Sequence, residues 1–172
     1  MKILVGYASA HGSTAEIAQE IGKVLAEYQY TVTVADVAEV TAVDDYDGFI
    51  LGSPIHAAMW LTEMSQFLSR FNDQLAVKPF YFYITCIRVL EADGMEHVIK
   101  EYVNHAVLNR LHVRETTAFA GKMTLQDVDW DERWTLAARF DGQNPAGSYN
   151  SDFREWDKIR QWARHVADGL GR

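Results

Sequence analysis

Short apolar runs and helical stripes alternate along the whole of this chain. Ile3-Leu4-Val5 is a run that ends in Gly6-Tyr7-Ala8. Ile17, Ala18, Ile21, Leu25 and Tyr28 then recur at three- and four-residue spacing, which predicts a helix. Thr31 to Ala35 alternates and is rich in β-branched residues, and Gly48 to Gly52 encloses a short apolar run. Met59 to Phe71 predicts a second helix, with Leu61, Met64, Phe67, Leu68 and Phe71 inward. Phe80 to Ile84 has no polar face at all. Met95, Val98, Ile99, Tyr102, Val103 and Ala106 form one more helical stripe, and Glu115 to Ala120 reads as a strand. A last helix is predicted from Asp152 to Ala167, with Trp156, Ile159, Ala163 and Val166 buried. Val37 to Val43 is read as a short loop or a further helix. Trp130, Trp134, Leu136, Ala137 and Phe140 suit a short helix, either an ordinary cover for the sheet or a cap on the binding edge, and Asp141 to Gly147 suits a turn.

The order β-α-β-β-α-β-α-β-irregular-α, with doubly apolar strands, implies a parallel sheet covered on both faces. At 172 residues the chain fits one domain over 1–172. Ligands of such sheets sit beyond the carboxyl ends of the strands. The informative loops are therefore those after Tyr7, after Leu51 and after Ile84.

Ser9-Ala10-His11-Gly12-Ser13-Thr14 joins the first strand to the first helix. Small hydroxylated residues with a glycine at a helix start suit an anion nest of backbone N–H groups. No Lys or Arg occurs between Ile3 and Gly22, so an anion here would meet neutral donors. The same residues also suit plain helix capping, with Ser13 and Glu16 at capping-box spacing. Rival sites on such sheets are excluded by this loop. There is no G-x-x-x-x-G-K-[ST], no G-x-G-x-x-G and no loop cysteine, and Gly52-Ser53 stands where a receiver domain needs its acceptor Asp.

The second loop, Gly52-Ser53-Pro54-Ile55-His56-Ala57-Ala58-Met59-Trp60, offers Trp60 as a wall for a planar ring, or simply as a residue that opens the next helix. His56 suits a ligand contact, a proton relay or a solvated loop position. In the third loop Thr85 and the Cys86 backbone reach towards the same edge. Arg88 suits charge near an anionic ring, or a local pair with Glu91 or Asp93. Cys86 also suits a small buried apolar position.

Charge narrows the partners. With 16 Lys and Arg against 24 Asp and Glu, the net charge of −8 disfavours nucleic acid and anionic membrane surfaces. One cysteine excludes an internal disulfide framework and a multi-cysteine zinc site. No metal site and no protein nucleophile is expected. The opening MKILVGYASA runs directly into the first strand pattern, and the expectation is a soluble, cytoplasmic protein without membrane insertion.

With these loops in place the chain resembles the flavodoxin family, whose phosphate loop reads roughly T/S-x-T-G-x-T. Ser9 to Thr14 matches it except at His11. The resemblance implies an α/β three-layer sandwich: a five-stranded parallel sheet in the order 2-1-3-4-5 with helices on both faces. It implies non-covalent FMN, with the monophosphate on Ser9, Ala10, His11, Gly12, Ser13 and Thr14. The ring would lie between Ser53, Pro54, Ile55, His56 and Trp60 on one side and Thr85, Cys86 and Arg88 on the other. Gly52 to His56 and Phe153 to Asp157 look most like the flavodoxin-domain proteins grouped with menaquinone-dependent protoporphyrinogen dehydrogenases. That implies an oxidoreductase whose acceptor is a quinone or another small molecule. A protein–protein electron carrier and a flavin-less binding module are the alternatives, and a homodimer is compatible with each. Ile55 to Met59 lacks the glycine, and Ile87-Arg88 the tyrosine, that electron-transfer flavodoxins commonly place in these loops.

Overall fold

Phe80 to Ile84 carries no polar face because both of its faces are covered. In the computed structural model, which describes residues 1–123 and 151–171, Phe80, Phe82 and Ile84 enter one core while Tyr81 and Tyr83 enter another. Leu4, Phe49 and Leu51 join the first, and Ile3, Val5 and Ile50 the second. This two-residue alternation is the strand pleat itself.

The strands are β1 (Lys2–Tyr7), β2 (Thr31–Asp36), β3 (Gly48–His56), β4 (Met59–Trp60), β5 (Phe80–Thr85) and β6 (Glu115–Phe119), with a separate pair β7 (Lys122–Met123) and β8 (Ser151–Asp152). Five of them run parallel in the order β2-β1-β3-β5-β6, the predicted 2-1-3-4-5 arrangement. The short β4 folds back antiparallel on β3, and β7 pairs antiparallel with β8. Helices α1 (Ser13–Glu27) and α6 (Trp156–Leu170) cover one face. On the other lie α2 (Thr62–Arg70), α3 (Asn72–Ala76) and α5 (His105–Arg110), with Val98 and Val103 from the segment that follows α4 (Gly94–His97). Along the α1–α6 seam the Arg160 Nε donates to Glu20 at 2.7 Å. Burial alone would raise the Glu20 carboxyl, but the hydrogen bonds from Arg160 and Lys23 outweigh it and hold Glu20 below its ordinary value.

Three predicted boundaries move, each for a local reason. The helix expected from Met59 begins only at Thr62, because β3 runs on to His56 and turns back through Met59-Trp60. Trp60 is thus a strand residue and does not open α2. The stripe from Met95 to Ala106 is three pieces: α4, a π-turn over Val98–Tyr102 and α5. Val103 is extended, and Asn104 caps α5 by accepting from the Val107 amide at 3.2 Å. The last helix starts at Trp156, because Ser151–Asp152 is drawn into the ladder with β7. Val37 to Val43 forms a turn and an irregular segment with no helix. The helix expected around Trp130 to Phe140 and the turn at Asp141 to Gly147 lie outside the described residues.

Candidate functional site

The loop after β1 is built around one left-handed residue. Gly12 has φ +85°, and a Cβ there would meet nothing within 4 Å. Backbone conformation, rather than space, therefore calls for glycine at this turn. The Gly12 amide donates to Ser9 Oγ at 3.0 Å, which leaves the Ser9 O–H to point elsewhere. The Gly12 carbonyl accepts the Glu16 amide at 3.0 Å, the first turn bond of α1. The amides of Ser13, Thr14 and Ala15 precede that bond and donate to no acceptor among the described residues. Gly12 is the residue before the helix, and no side chain caps it. The alternative capping box of Ser13 and Glu16 does not form, because Gly12 and not Ser13 takes the N-cap position, and Glu16 is held by an arginine from the far end of the chain. Ala10 and His11 lie exposed on the outer bend.

Thr14 is 1% exposed, yet its Oγ1 has no hydrogen-bond partner among the described residues. Thr85 repeats this at the end of β5: it is 5% exposed and its Oγ1 is unpartnered. A buried hydroxyl without a partner costs about 1–3 kcal/mol, so two at one sheet edge point to a group that completes them. Gly121 lies between Thr85 and Ser13, the neighbour of Thr14, since a Cβ on it would lie 2.8 Å from Thr85 Cγ2 and 3.1 Å from Ser13 Oγ. Only a residue without a side chain fits between the end of β5 and the start of α1. Gly121 was not marked out by the sequence reading, although a glycine directly after a strand pattern is the available signal.

The second loop is a tight hairpin. Ile55 pairs with Trp60 and His56 with Met59, and Ala57 and Ala58 turn the chain with φ of 48° and 63°. Both central residues are left-handed, the pattern of a type I′ turn that Asn-Gly fills most easily. Alanine at each position costs about 1–2 kcal/mol. Ser53 is fully buried; its Oγ accepts the Leu61 amide and donates to the Pro54 carbonyl, both at 3.0 Å. The Ser53 hydroxyl is thus committed to the hairpin. Trp60 is half-buried, edge-on to Phe82 with ring centroids 5.1 Å apart. His56 is exposed, and Met59 is 66% exposed at the tip.

In the third loop the Cys86 amide donates to the Phe119 carbonyl at 2.9 Å, and a 3-10 turn follows over Ile87–Leu90. Arg88 takes the local alternative, pairing with Glu91 at 3.1 Å and lying 3.9 Å from Asp93. Its Nε is buried without a partner. A Cβ on Gly94 would lie 1.9 Å from the Arg88 carbonyl, so the loop closes only over glycine.

Tyr83 ties the sheet to the first loop. It is fully buried, and its O–H donates to the Thr14 carbonyl at 3.3 Å. Burial pushes its phenol far above the ordinary value of 10.0, and the nearby Tyr7 adds to the effect. A phenol whose folded pKa exceeds its unfolded one contributes stability below the unfolded value and loses it as pH rises further. Stability is expected to decline above about pH 10, and Tyr83→Phe to flatten that decline in urea titrations from roughly pH 8 to 11. An equally steep decline in the variant would refute the assignment.

Among the described residues, no His, Cys, Asp and Glu group could hold a metal ion, and no helix is long and apolar enough to cross a membrane. The family described as flavodoxin domain matches residues 4–142. A search of curated proteins gave no sequence match. Among solved structures, oxidised flavodoxin 1 from Bacillus cereus is 16% identical, over 99% of each chain, at a TM-score of 0.64. Flavodoxin 2 from Bacillus cereus is 20% identical, over 98% of this chain and 99% of that one, at 0.62. The rubredoxin oxygen:oxidoreductase of Desulfovibrio gigas is 15% identical at 0.61; the match covers 99% of this chain and 36% of that chain. At these identities the likeness carries the fold alone.

Proposed function

Because the chain belongs to the flavodoxin domain family, we propose that it binds FMN non-covalently at the carboxyl edge of its sheet and passes electrons through it. The observation that carries this reading is the pair of buried, unpartnered hydroxyls on Thr14 and Thr85, with Gly121 packed between Thr85 and Ser13. The amides of Ser13, Thr14 and Ala15, with the hydroxyls of Ser9, Ser13 and Thr14, would hold the monophosphate, and Gly12 sets their direction. Ala10 and His11 form the outer bend of that cup. The 53–60 hairpin and the 85–90 turn would flank the ring, with Trp60 as one wall and Thr85 and the Cys86 backbone facing its edge. Ser53 would act through the hairpin it braces, not through its own hydroxyl. When bound, the flavin supplies the redox chemistry; the chain binds, orients and shields it.

The finer reading is a quinone-like or other small-molecule acceptor. One feature supports it: a hairpin turn made of alanines where one-electron carriers commonly use glycine; the Arg88 guanidinium, paired with Glu91 and near Asp93, does not add to it. The likeness to protoporphyrinogen dehydrogenases rested partly on Phe153 to Asp157, residues that brace α6 against α1 and so have a structural use of their own. Purified protein is expected to retain or take up FMN stoichiometrically, with flavin absorbance. Anaerobic dithionite titration then separates acceptors: direct two-electron bleaching supports the small molecule, and an accumulating one-electron form supports a redox-protein partner. Protein that stays colourless with added FMN overturns the reading and favours a flavin-less binding module.

A further inference from the structure

The first turn of α1 carries no Lys or Arg of its own, yet a cation reaches it from residue 154. The Arg154 side chain is only 5% exposed. Its Nε and one terminal nitrogen fork onto Asp152, at 2.7 and 2.6 Å, while the other terminal nitrogen bonds Glu16. The Trp156 ring lies beneath it, 4.5 Å from the guanidinium carbon. The hydrogen bonds it donates to Asp152 and then Glu16 hold the guanidinium more firmly protonated than usual, and those to Asp152 depress the Asp152 carboxyl. Asp152 faces Lys122 across the β7–β8 ladder, and the Phe153 amide donates to the Gly121 carbonyl at 3.2 Å. Gly121 is the residue wedged against Ser13. The fork on Asp152 thus fixes the direction in which the remaining nitrogen reaches α1.

Glu16 sits in the turn that supplies the anion cup, two residues beyond the orphaned Thr14 hydroxyl. A carboxylate there favours an empty helix start but opposes a second anion. We propose that Arg154 is a positioning residue for the phosphate site: anchored on Asp152, it holds Glu16 and partly offsets its charge, so that the amides and hydroxyls of the cup are left to a ligand phosphate. The proposal rests on the FMN reading above.

Binding of FMN and of riboflavin, which lacks the phosphate, to the full chain separates charge from architecture. Arg154→Ala is expected to weaken FMN about tenfold while changing riboflavin by less than about threefold. Adding Glu16→Gln to that variant restores most of the loss, because it removes the charge that Arg154 masks. Glu16→Gln alone, which keeps the guanidinium, tightens FMN by roughly two- to fivefold and keeps the inference testable should Arg154→Ala fail to fold. Equal weakening of both flavins in Arg154→Ala, no recovery in the double variant, or unchanged FMN affinity in Glu16→Gln overturns the proposal. Wild-type protein that binds neither flavin overturns the FMN reading and this inference together. Wild-type binding of FMN with an unresponsive Arg154→Ala overturns this inference alone.

Discussion

Gly52→Ala is expected to destabilise the domain by about 3 kcal/mol, the upper range for overpacking a rigid core. The added Cβ would fall 1.9 Å from Tyr83 Cζ and 2.3 Å from Cε1 and Cε2, inside the ring's own volume. Gly52 and Tyr83 are direct partners in the β3–β5 ladder, so neither backbone can withdraw without breaking its hydrogen bonds. The ring has no free direction either, being fully buried and bonded to the Thr14 carbonyl. Movement of Tyr83 would therefore disturb the first turn of α1, and FMN affinity is expected to fall along with stability. Urea unfolding measures the first effect. Combining Gly52→Ala with Tyr83→Val, which vacates the clash, should cost less than the sum of the two single changes. A Gly52→Ala midpoint equal to wild type would mean the ring has room that this packing denies it.

Thr14→Val separates binding from stability in opposite directions. Valine matches threonine in shape, and the Oγ1 it removes is buried and unpartnered among the described residues. The flavin-free domain is thus expected to hold its stability or gain about 1 kcal/mol, since an unsatisfied polar atom leaves the interior. FMN affinity is expected to drop by about 1.5–3 kcal/mol, roughly 10- to 100-fold, the worth of a hydrogen bond to a charged group. Thermal melts without flavin and fluorescence titrations with FMN give the two readings. Unchanged FMN affinity would remove Thr14 from the phosphate cup, whereas a less stable flavin-free protein would mean the hydroxyl already has a use.

That the sheet is parallel and covered on both faces was legible because the central strands β1, β3 and β5 are apolar on both sides, whereas the strand order came only with the family resemblance. The turn after β1 was legible because its constraint is local: one left-handed glycine beside a helix start. What escaped was decided at a distance. Arg154 was invisible as a neighbour of Glu16 because the two are 138 residues apart. Met59-Trp60 sits at the head of a sound helical stripe, but the Leu61 amide is captured by Ser53, eight residues earlier, and the chain folds into a hairpin first. The Met95 to Ala106 stripe keeps helical spacing throughout, yet Asn104 offers its side chain to a new helix start and the run divides there.

The hairpin at Ala57 and Ala58 stores energy that a more permissive residue would release. Glycine at the exposed position 58 would relieve that cost. The alanines therefore hold the tip of the hairpin in a conformation that glycine would adopt at less cost, so this loop is fixed by its ladder pairs and not by its turn residues.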